Sequence, residues 1–205
     1  MEQQIIARGK RKMKNGLLYL GLVLFLTGCS SKNTDLKEPD NFRAESSAAI
    51  QPDETTPEGE TAISGTYAVP EGWSKADEYF TEEVAFYIAD RHEGDDYPDN
   101  ISISFGMNRY SAEEHTAFRD AIVQQLLMQL DGVDAQLNGD GTYTEQDYVV
   151  YIFTIEEADG VITKQYYIVK DYGYCLVHVT NFSGAKDVFE AAQDIVDSFV
   201  WADNS

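Results

Sequence analysis

The sequence predicts an α+β fold in which an antiparallel sheet of about six or seven strands packs with helices in an α/β/α sandwich. Three observations predict this fold class. Runs of aromatic and β-branched residues recur from residue 65 onward, two segments carry apolar residues at helical spacing, and residues 65–205 have the length of one ordinary domain. We therefore expect one folded domain over residues 65–205.

The first predicted strands lie in the amino-terminal half of this domain. Residues 67–73 are typical of a short entry strand that Pro70 interrupts. Residues 84–88 and 101–105 are strand-like, and an acidic loop that contains glycine and proline separates them. Because apolar residues alternate with serines along residues 101–105, we expect that strand to have one apolar face.

A helix is predicted after these strands. Ser111 and Glu114 have the spacing of a capping box, which marks a helix start. Apolar residues then recur every four positions at Phe118, Ile122, Leu126 and Leu130. The pattern stops at Asp131 and Gly132, where the helix is expected to end, and its apolar face is expected to pack on the sheet.

The carboxyl-terminal part predicts three more strands and a second helix. Residues 148–156, 161–170 and 173–180 are strand-like, and turns of hairpin length that contain Asp and Gly join them. Residues 149–155 are apolar at nearly every position, which is typical of a strand covered on both faces. The last helix carries one apolar stripe, formed by Val188, Phe189, Ala192, Ile195, Val196 and Phe199.

The charge of the chain argues against a nucleic-acid partner. The chain has 36 Asp and Glu against 15 Lys and Arg, a formal charge of −21. Five of the cations precede residue 15, so residues 29–205 retain 35 acidic and only 10 basic side chains. Nucleic-acid binding requires clustered Lys or Arg, and no such cluster remains in this part of the sequence.

The amino terminus predicts export and lipidation. A basic segment precedes an apolar run at residues 16–26, which is shorter than the roughly 20 residues that span a bilayer. Residues 26–29, Leu-Thr-Gly-Cys, are similar to the lipobox of bacterial lipoproteins. The resemblance implies a signal peptide over residues 1–28 and a lipidated Cys29 that anchors the protein in the membrane. The alternative is an ordinary secretory signal in which Cys29 is fortuitous.

Residues 29–64 are predicted to be a disordered tether. They are rich in Ser, Thr, Asn, Pro, Glu and Asp and contain few large apolar side chains. Such a segment buries too little surface to offset the entropy of ordering. We expect it to hold the folded domain at a distance from the lipid headgroups.

The order of elements and several short motifs resemble the PsbP-like domains. The motifs are Tyr67-x-Val69-Pro70-x-x-Trp73, the Asp-Asn-Ile-Ser-Ile run at residues 99–103, the central helix, the closing hairpins, and Asp194-Ile195-Val196-x-Ser198-Phe199. The resemblance covers residues 65–202 and implies the α/β/α sandwich. It implies no shared catalytic residues, because the family includes photosystem-associated subunits, a small-GTPase partner and bacterial lipoproteins.

No catalytic site is predicted, and we expect that the protein is not an enzyme. Cys175 and His178 are three residues apart in a predicted strand, so their side chains point to opposite faces and cannot share a proton. Cys175 is expected to be a small buried apolar residue. The histidines have no zinc-site spacing, and neither a nucleophile elbow nor a glycine-rich phosphate loop occurs.

Two oxygen-rich segments are candidate calcium-binding sites, and no other cofactor is expected. Residues 136–147 contain the Asn138-x-Asp140-Gly centre of an EF-hand loop but lack its terminal Asp and Glu ligands, so a glycine turn is the alternative. The loop that contains Asp95, Asp96 and Asp99 is the second candidate, and an ordinary solvated loop is its alternative.

Tyrosines crowd the predicted closing hairpins. Adjacent Tyr166 and Tyr167 must point to opposite faces of a strand, and Tyr172 lies in a predicted turn. These three residues are candidates for an exposed strip that binds a protein or glycan partner. Core packing with the hydroxyl groups at the rim is the alternative.

The sequence as a whole predicts a lipid-anchored bacterial lipoprotein that faces away from the cytoplasm. Its expected role is a non-catalytic binding or assembly module with an envelope protein or glycan as partner. A calcium-dependent surface-binding module is the first alternative, and an envelope hydrolase is the second.

Overall fold

The computed structural model describes residues 63–202 as a seven-stranded antiparallel sheet, a two-stranded sheet and two α-helices. The elements in chain order are β1 (Gly65–Thr66), β2 (Trp73–Lys75), β3 (Val84–Ala89), β4 (Asn100–Met107), α1 (His115–Gln129), β5 (Ala135–Tyr143), β6 (Val149–Glu157), β7 (Ile162–Lys170), β8 (Gly173–Asn181), α2 (Asp187–Asp197) and β9 (Val200–Trp201). The main sheet has the strand order β2-β3-β4-β8-β7-β6-β5, and β1 pairs with β9. The predicted α+β fold class is confirmed.

The centre of the main sheet is covered on both faces. All nine residues of β8 are buried, because this strand lies between β4 and β7 with a layer of side chains on either side. In β6, Val150 and Phe153 point to opposite faces and both are buried. This arrangement confirms the prediction that residues 149–155 form a doubly covered strand.

One face of the sheet packs against α2. Val188, Ala192 and Ile195 of this helix belong to a cluster with Ile168 and Val177 of the sheet, and all five side chains are buried. Each such aliphatic side chain contributes about 1.5–3 kcal/mol on burial. Helix α2 therefore fixes the central strands from this side. Five of the six residues of the predicted apolar stripe lie on it, but the helix ends at Asp197, so Phe199 lies between α2 and β9, where it is buried in the same cluster.

The other face packs against α1 and is rich in aromatic rings. Phe118 and Ile122 of α1 are fully buried, and the ring of Phe118 lies 5.5 Å from that of Tyr174 and 5.9 Å from that of Tyr167. The Glu114 carboxylate accepts hydrogen bonds from the amide and hydroxyl of Ser111 at 3.0 Å each, just before α1. The predicted helix start and its contact with the sheet are both confirmed.

One predicted strand and one predicted loop are wrong. Residues 67–72 form no strand, because pairing is made instead by β1 with β9 and by β2 with β3. Residues 136–143 are neither a glycine turn nor a calcium loop but most of β5, which pairs along its whole length with β6. Gly139 and Gly141 are not among the residues with positive φ, so the expected reason for glycine there does not hold.

Candidate functional site

Strand β5 has the longest run of exposed residues among the strands of the main sheet. Strand β5 has nine residues and is the last strand in the order, so among residues 63–202 it pairs only with β6. Its residues from Asn138 to Tyr143 are all exposed. An edge strand of this kind presents unpaired N–H and C=O groups to any further strand that approaches.

The hydrogen-bond phase shows which groups face outward. The amide of Ala158 donates to the carbonyl of Asp134 at 3.0 Å, and the amide of Thr144 donates to the carbonyl of Tyr148 at 2.9 Å. Since bonded and non-bonded pairs alternate along an antiparallel ladder, even-numbered residues of β5 direct their backbone groups toward β6. The odd-numbered residues direct theirs toward the outer edge, namely Leu137, Gly139, Gly141 and Tyr143.

The two faces of this edge differ in chemistry. On the α1 face, Leu137 packs against the cluster that contains Phe153, and a Cβ built on Gly139 would lie 3.5 Å from the Phe153 ring. The Phe153 ring is itself buried, so this face offers a neighbouring strand half-buried Leu137 and the exposed ring of Tyr143. On the opposite face lie the exposed polar side chains of even-numbered residues, including Asn138 and Asp140.

The segment of chain that forms this edge carries only acidic charges, and the nearest cations belong to other segments. Arg119 lies 5.8 Å from the ring of Tyr151, the partner of Gly141, and Lys164 pairs with Thr154, the partner of Asn138. Between Arg119 and Lys164 the sequence contains nine Asp and Glu and no Lys, Arg or His. The Asp140 carboxylate lies at the edge itself, where it accepts a hydrogen bond of 2.8 Å from the outward-facing amide of Gly141. Glu156 is exposed on the neighbouring strand, opposite Gln136. A cation that approaches this edge therefore meets no competing positive side chain from residues 120–163.

Asn138 and Asp140, the first calcium candidates, do not form the predicted loop. They are two residues apart in an extended strand and are paired with Thr154 and Ile152 of β6. An EF-hand ligand set requires the chain to turn around the ion, and a β-strand cannot supply ligands from all sides.

Asp99, a candidate of the second acidic segment, has a structural role. Its side chain is fully buried, and its carboxylate accepts hydrogen bonds from the amides of Phe182 and Ser183 at 2.8 and 2.9 Å and from the Ser183 hydroxyl at 2.6 Å. Arg91 and His92 approach the same carboxylate at 3.4 and 3.1 Å. Asp99 therefore fastens the loop before β4 to the segment that leads into α2, and its oxygens are already occupied.

The balance of these contacts decides the charge of Asp99. Burial alone would raise the pKa of the carboxyl group, but the hydrogen bonds from Ser183 and Phe182 and the nearby His92 lower it below its ordinary value. Asp99 is thus a carboxylate held by its donors at neutral pH.

Asp95 and Asp96 remain at the surface. The Asp95 carboxylate lies 2.8 Å from Nδ1 of His92, and both aspartates are exposed. Within residues 63–202, no three His, Cys, Asp or Glu side chains are grouped as a metal site requires. Calcium binding stays a prediction, and a higher melting temperature in millimolar calcium would support it.

The predicted tyrosine strip is wrong for two of its three members. Tyr167 is fully buried and Tyr166 is 3% exposed, because each ring enters the core on its own face of β7. Burial raises the pKa of Tyr166 to about 12 and also raises that of Tyr167. Only Tyr172, in the turn between β7 and β8, is 54% exposed, so these residues do not form a strip.

Cys175 and His178 point to opposite faces of β8, as predicted. Cys175 is fully buried in the cluster beneath α2, and burial raises the pKa of its thiol. On the other face, His178 lies between Ser102 of β4 and Gln165 of β7 in the register of the sheet. Neither Nδ1 of His178 nor Nε2 of Gln165 has a hydrogen-bond partner among the described residues.

The lipidation prediction falls outside the part of the chain that the structure describes. Cys29, the signal peptide over residues 1–28 and nearly all of the predicted tether precede residue 63. Within the described range, neither α1 nor α2 has the length and apolar character of a membrane-crossing helix.

Comparisons with known proteins concern the fold. No protein-family model matches the chain, and no curated protein matches it. The chain is similar to the solution structure of cyanobacterial PsbP (CyanoP) from Synechocystis sp. PCC 6803, with a TM-score of 0.44 and 11% sequence identity. That similarity covers 73% of this chain and 98% of the other. At this identity no residue role passes from one protein to the other.

Proposed function

We propose that the protein is a lipid-anchored extracytoplasmic binding module of the bacterial envelope that acts without catalysis. The lipobox-like residues 26–29 support the anchor. Cleavage before Cys29 would make it the first residue, and its acyl chains would hold an acidic protein on a bilayer without the help of basic residues. The low content of large apolar residues over 30–64 supports a tether between the anchor and the sheet.

The observation that carries the binding role is the open edge of β5. A nine-residue edge strand without proline or lysine is a hazard that natural sheets usually avoid. A partner that pairs with this strand would account for an open edge of this length. The one cysteine in the described residues is buried, which favours a binding role over thiol catalysis at that position.

Metabolic labelling with a fatty acid tests the anchor. The wild-type chain should incorporate label and sediment with membranes, and Cys29→Ser should lose both properties. Cys175→Ala is the matched control, because Cys175 is buried inside the sheet and cannot be the acylated residue. Unchanged labelling and sedimentation of the Cys29→Ser variant would refute the anchor and, with it, the proposed location.

A further inference from the structure

We propose that the outer edge of β5 binds an extended, cation-rich segment of a partner protein as an eighth strand of the sheet. This inference rests on the proposed function and specifies the chemical class of its partner. It is carried by the juxtaposition of outward-facing backbone groups with a segment, residues 120–163, whose charged side chains are all acidic.

The backbone of β5 supplies the attachment. The outward-facing groups belong to Leu137, Gly139, Gly141 and Tyr143, and an added strand could bond to them in the same ladder pattern that β6 uses on the other side. At about 3.3 Å per residue, nine residues offer an edge of roughly 30 Å. The Gly141 amide would exchange its bond to the Asp140 carboxylate for a bond to the new strand, which frees that carboxylate.

The side chains beside the edge specify an alternating partner. On the α1 face an incoming strand meets half-buried Leu137 and the ring of Tyr143, which is 64% exposed. On the other face it meets Asp140. Because successive side chains of a strand point to opposite faces, a fitting segment alternates apolar residues with Lys or Arg.

Charge favours a cationic partner over a second copy of this chain. Pairing two β5 strands would bring together two copies of an edge whose one charged residue is Asp140 and whose flanking segments, within residues 120–163, carry only acidic charges. Paired strands lie about 4.8 Å apart, so carboxylates placed opposite each other would repel at a distance where salt does not screen them fully. A cationic segment gains attraction from the same charges, which also raises its rate of association.

Peptide binding tests the inference directly. The probe is a fluorescent nine-residue peptide of alternating lysine and valine, and the protein is the full chain in non-ionic detergent. We expect fluorescence anisotropy to show binding at least about tenfold tighter than that of a peptide with the same composition and the lysines in one block. A third peptide with the alternating sequence and N-methylated backbone amides should also bind at least about tenfold more weakly.

Two protein variants locate the binding site. Gly139→Pro removes one outward-facing amide and should lower the affinity for the alternating peptide about tenfold or more. Asp140→Lys should lower it about two- to fivefold, while Glu71→Lys, which makes the same charge change near the opposite edge, should alter it less than twofold.

The outcomes separate this inference from the proposed function. Equal affinities for the alternating, block and N-methylated peptides would overturn edge pairing and indicate attraction by charge alone. A concentration-dependent dimer that Gly139→Pro abolishes would overturn the choice of partner and assign the edge to a second copy. Either result leaves the anchor intact if the wild-type chain incorporates the fatty-acid label and Cys29→Ser does not. A wild-type chain that incorporates no label refutes the anchor even if the peptide binds.

Discussion

The two edges of the main sheet end in different ways. Strand β2 forms one edge with only three residues, and the ammonium group of Lys75 lies 3.5 Å from the centroid of the Phe80 ring and 3.4 Å from the Asp77 carboxylate. The residue before β2 is also bonded to the segment after β3, since the carbonyl of Gly72 accepts a hydrogen bond of 2.9 Å from the amide of Asp90. Strand β5 forms the other edge with nine residues and carries no lysine.

The difference teaches how one chain can limit self-association and still keep a pairing surface. Short length and a lysine discourage strand addition at β2. At β5 the backbone stays accessible, and repulsion between acidic surfaces is left to discourage pairing with a second copy. Negative charge disfavours strand addition only by negatively charged partners, whereas a short edge strand disfavours strand addition by any partner. Under the proposed strand addition, the β5 edge would thus select its partner by charge, whereas the β2 edge would accept none.

Adjacent proline substitutions in β5 give the largest expected difference. Asn138→Pro removes an amide that donates to β6, so we expect a loss of about 3 kcal/mol of unfolding free energy. Gly139→Pro removes an outward-facing amide that has no partner strand among residues 63–202, so it should lower the unfolding free energy by less than about half of the loss expected for Asn138→Pro. Denaturant unfolding of both variants measures the difference.

Equal destabilisation by the two prolines would contradict the assigned hydrogen-bond phase. It would mean that the outer side of β5 is also paired in the folded protein, and the contrast between the edges would disappear. Circular dichroism should show a similar strand content for Gly139→Pro and the wild type.

A second prediction concerns the loop that fastens the β2 side of the sheet. Asp99→Asn should lower the unfolding free energy by about 2–4 kcal/mol, because it removes a buried charge that accepts two backbone amides and a hydroxyl. Asp95→Asn in the same loop is the control. Its carboxylate is exposed, so the expected loss is less than about 1 kcal/mol.

The effect of Asp99→Asn should depend on pH with a defined sign. Since the folded-state pKa of Asp99 lies below the ordinary value of 3.8, its contribution is complete above that value. The contribution is lost as pH falls through the folded-state pKa. The stability gap between the wild type and Asp99→Asn should narrow below pH 3.8, and a gap that widens there would contradict the assignment.

Much of the fold on the β2 side and in the centre could be predicted from the sequence. The alternation at residues 101–105, the capping residues before α1 and the apolar stripe of α2 all reflect burial against a neighbour. Burial imposes a period on the sequence, and this period is readable without the structure. The role of Asp99 was not readable, because its donors lie in Phe182 and Ser183, far along the chain.

The β5 edge, in contrast, could not be predicted as a strand. Its outward residues need no apolar period, and Gly139 and Gly141 stand where alternation would place larger side chains. Pairing with β6 overrides these weak local preferences. One signal was available: the run from residue 120 to 163 has no basic residue, although it contains nine acidic ones.

The middle of the sheet, which both edges share, should weaken in mild acid. Burial lowers the pKa of His178 from 6.5 to about 4. The unfolded chain therefore binds this proton first, so stability is full above pH 6.5 and falls between that pH and about 4. We expect a loss of about 3 kcal/mol over this range and a flatter profile for His178→Gln. Hydrogen exchange should locate the loss in β4, β7 and β8, and a profile that His178→Gln leaves unchanged would contradict the prediction.

Alanine substitutions at two glycines give the smallest expected effect and test how loosely β5 is packed. A Cβ at Gly139 would lie 3.5 Å from the Phe153 ring, an ordinary contact, so Gly139→Ala should raise the unfolding free energy by about 0.5–1 kcal/mol. A Cβ at Gly106 of β4 would overlap the Tyr174 ring, so Gly106→Ala should lower it by about 1–3 kcal/mol. A higher melting temperature for Gly139→Ala and a lower one for Gly106→Ala would show that packing requires glycine in β4 and not in β5. A loss at both sites would instead place β5 in a tight contact, which an open edge does not have.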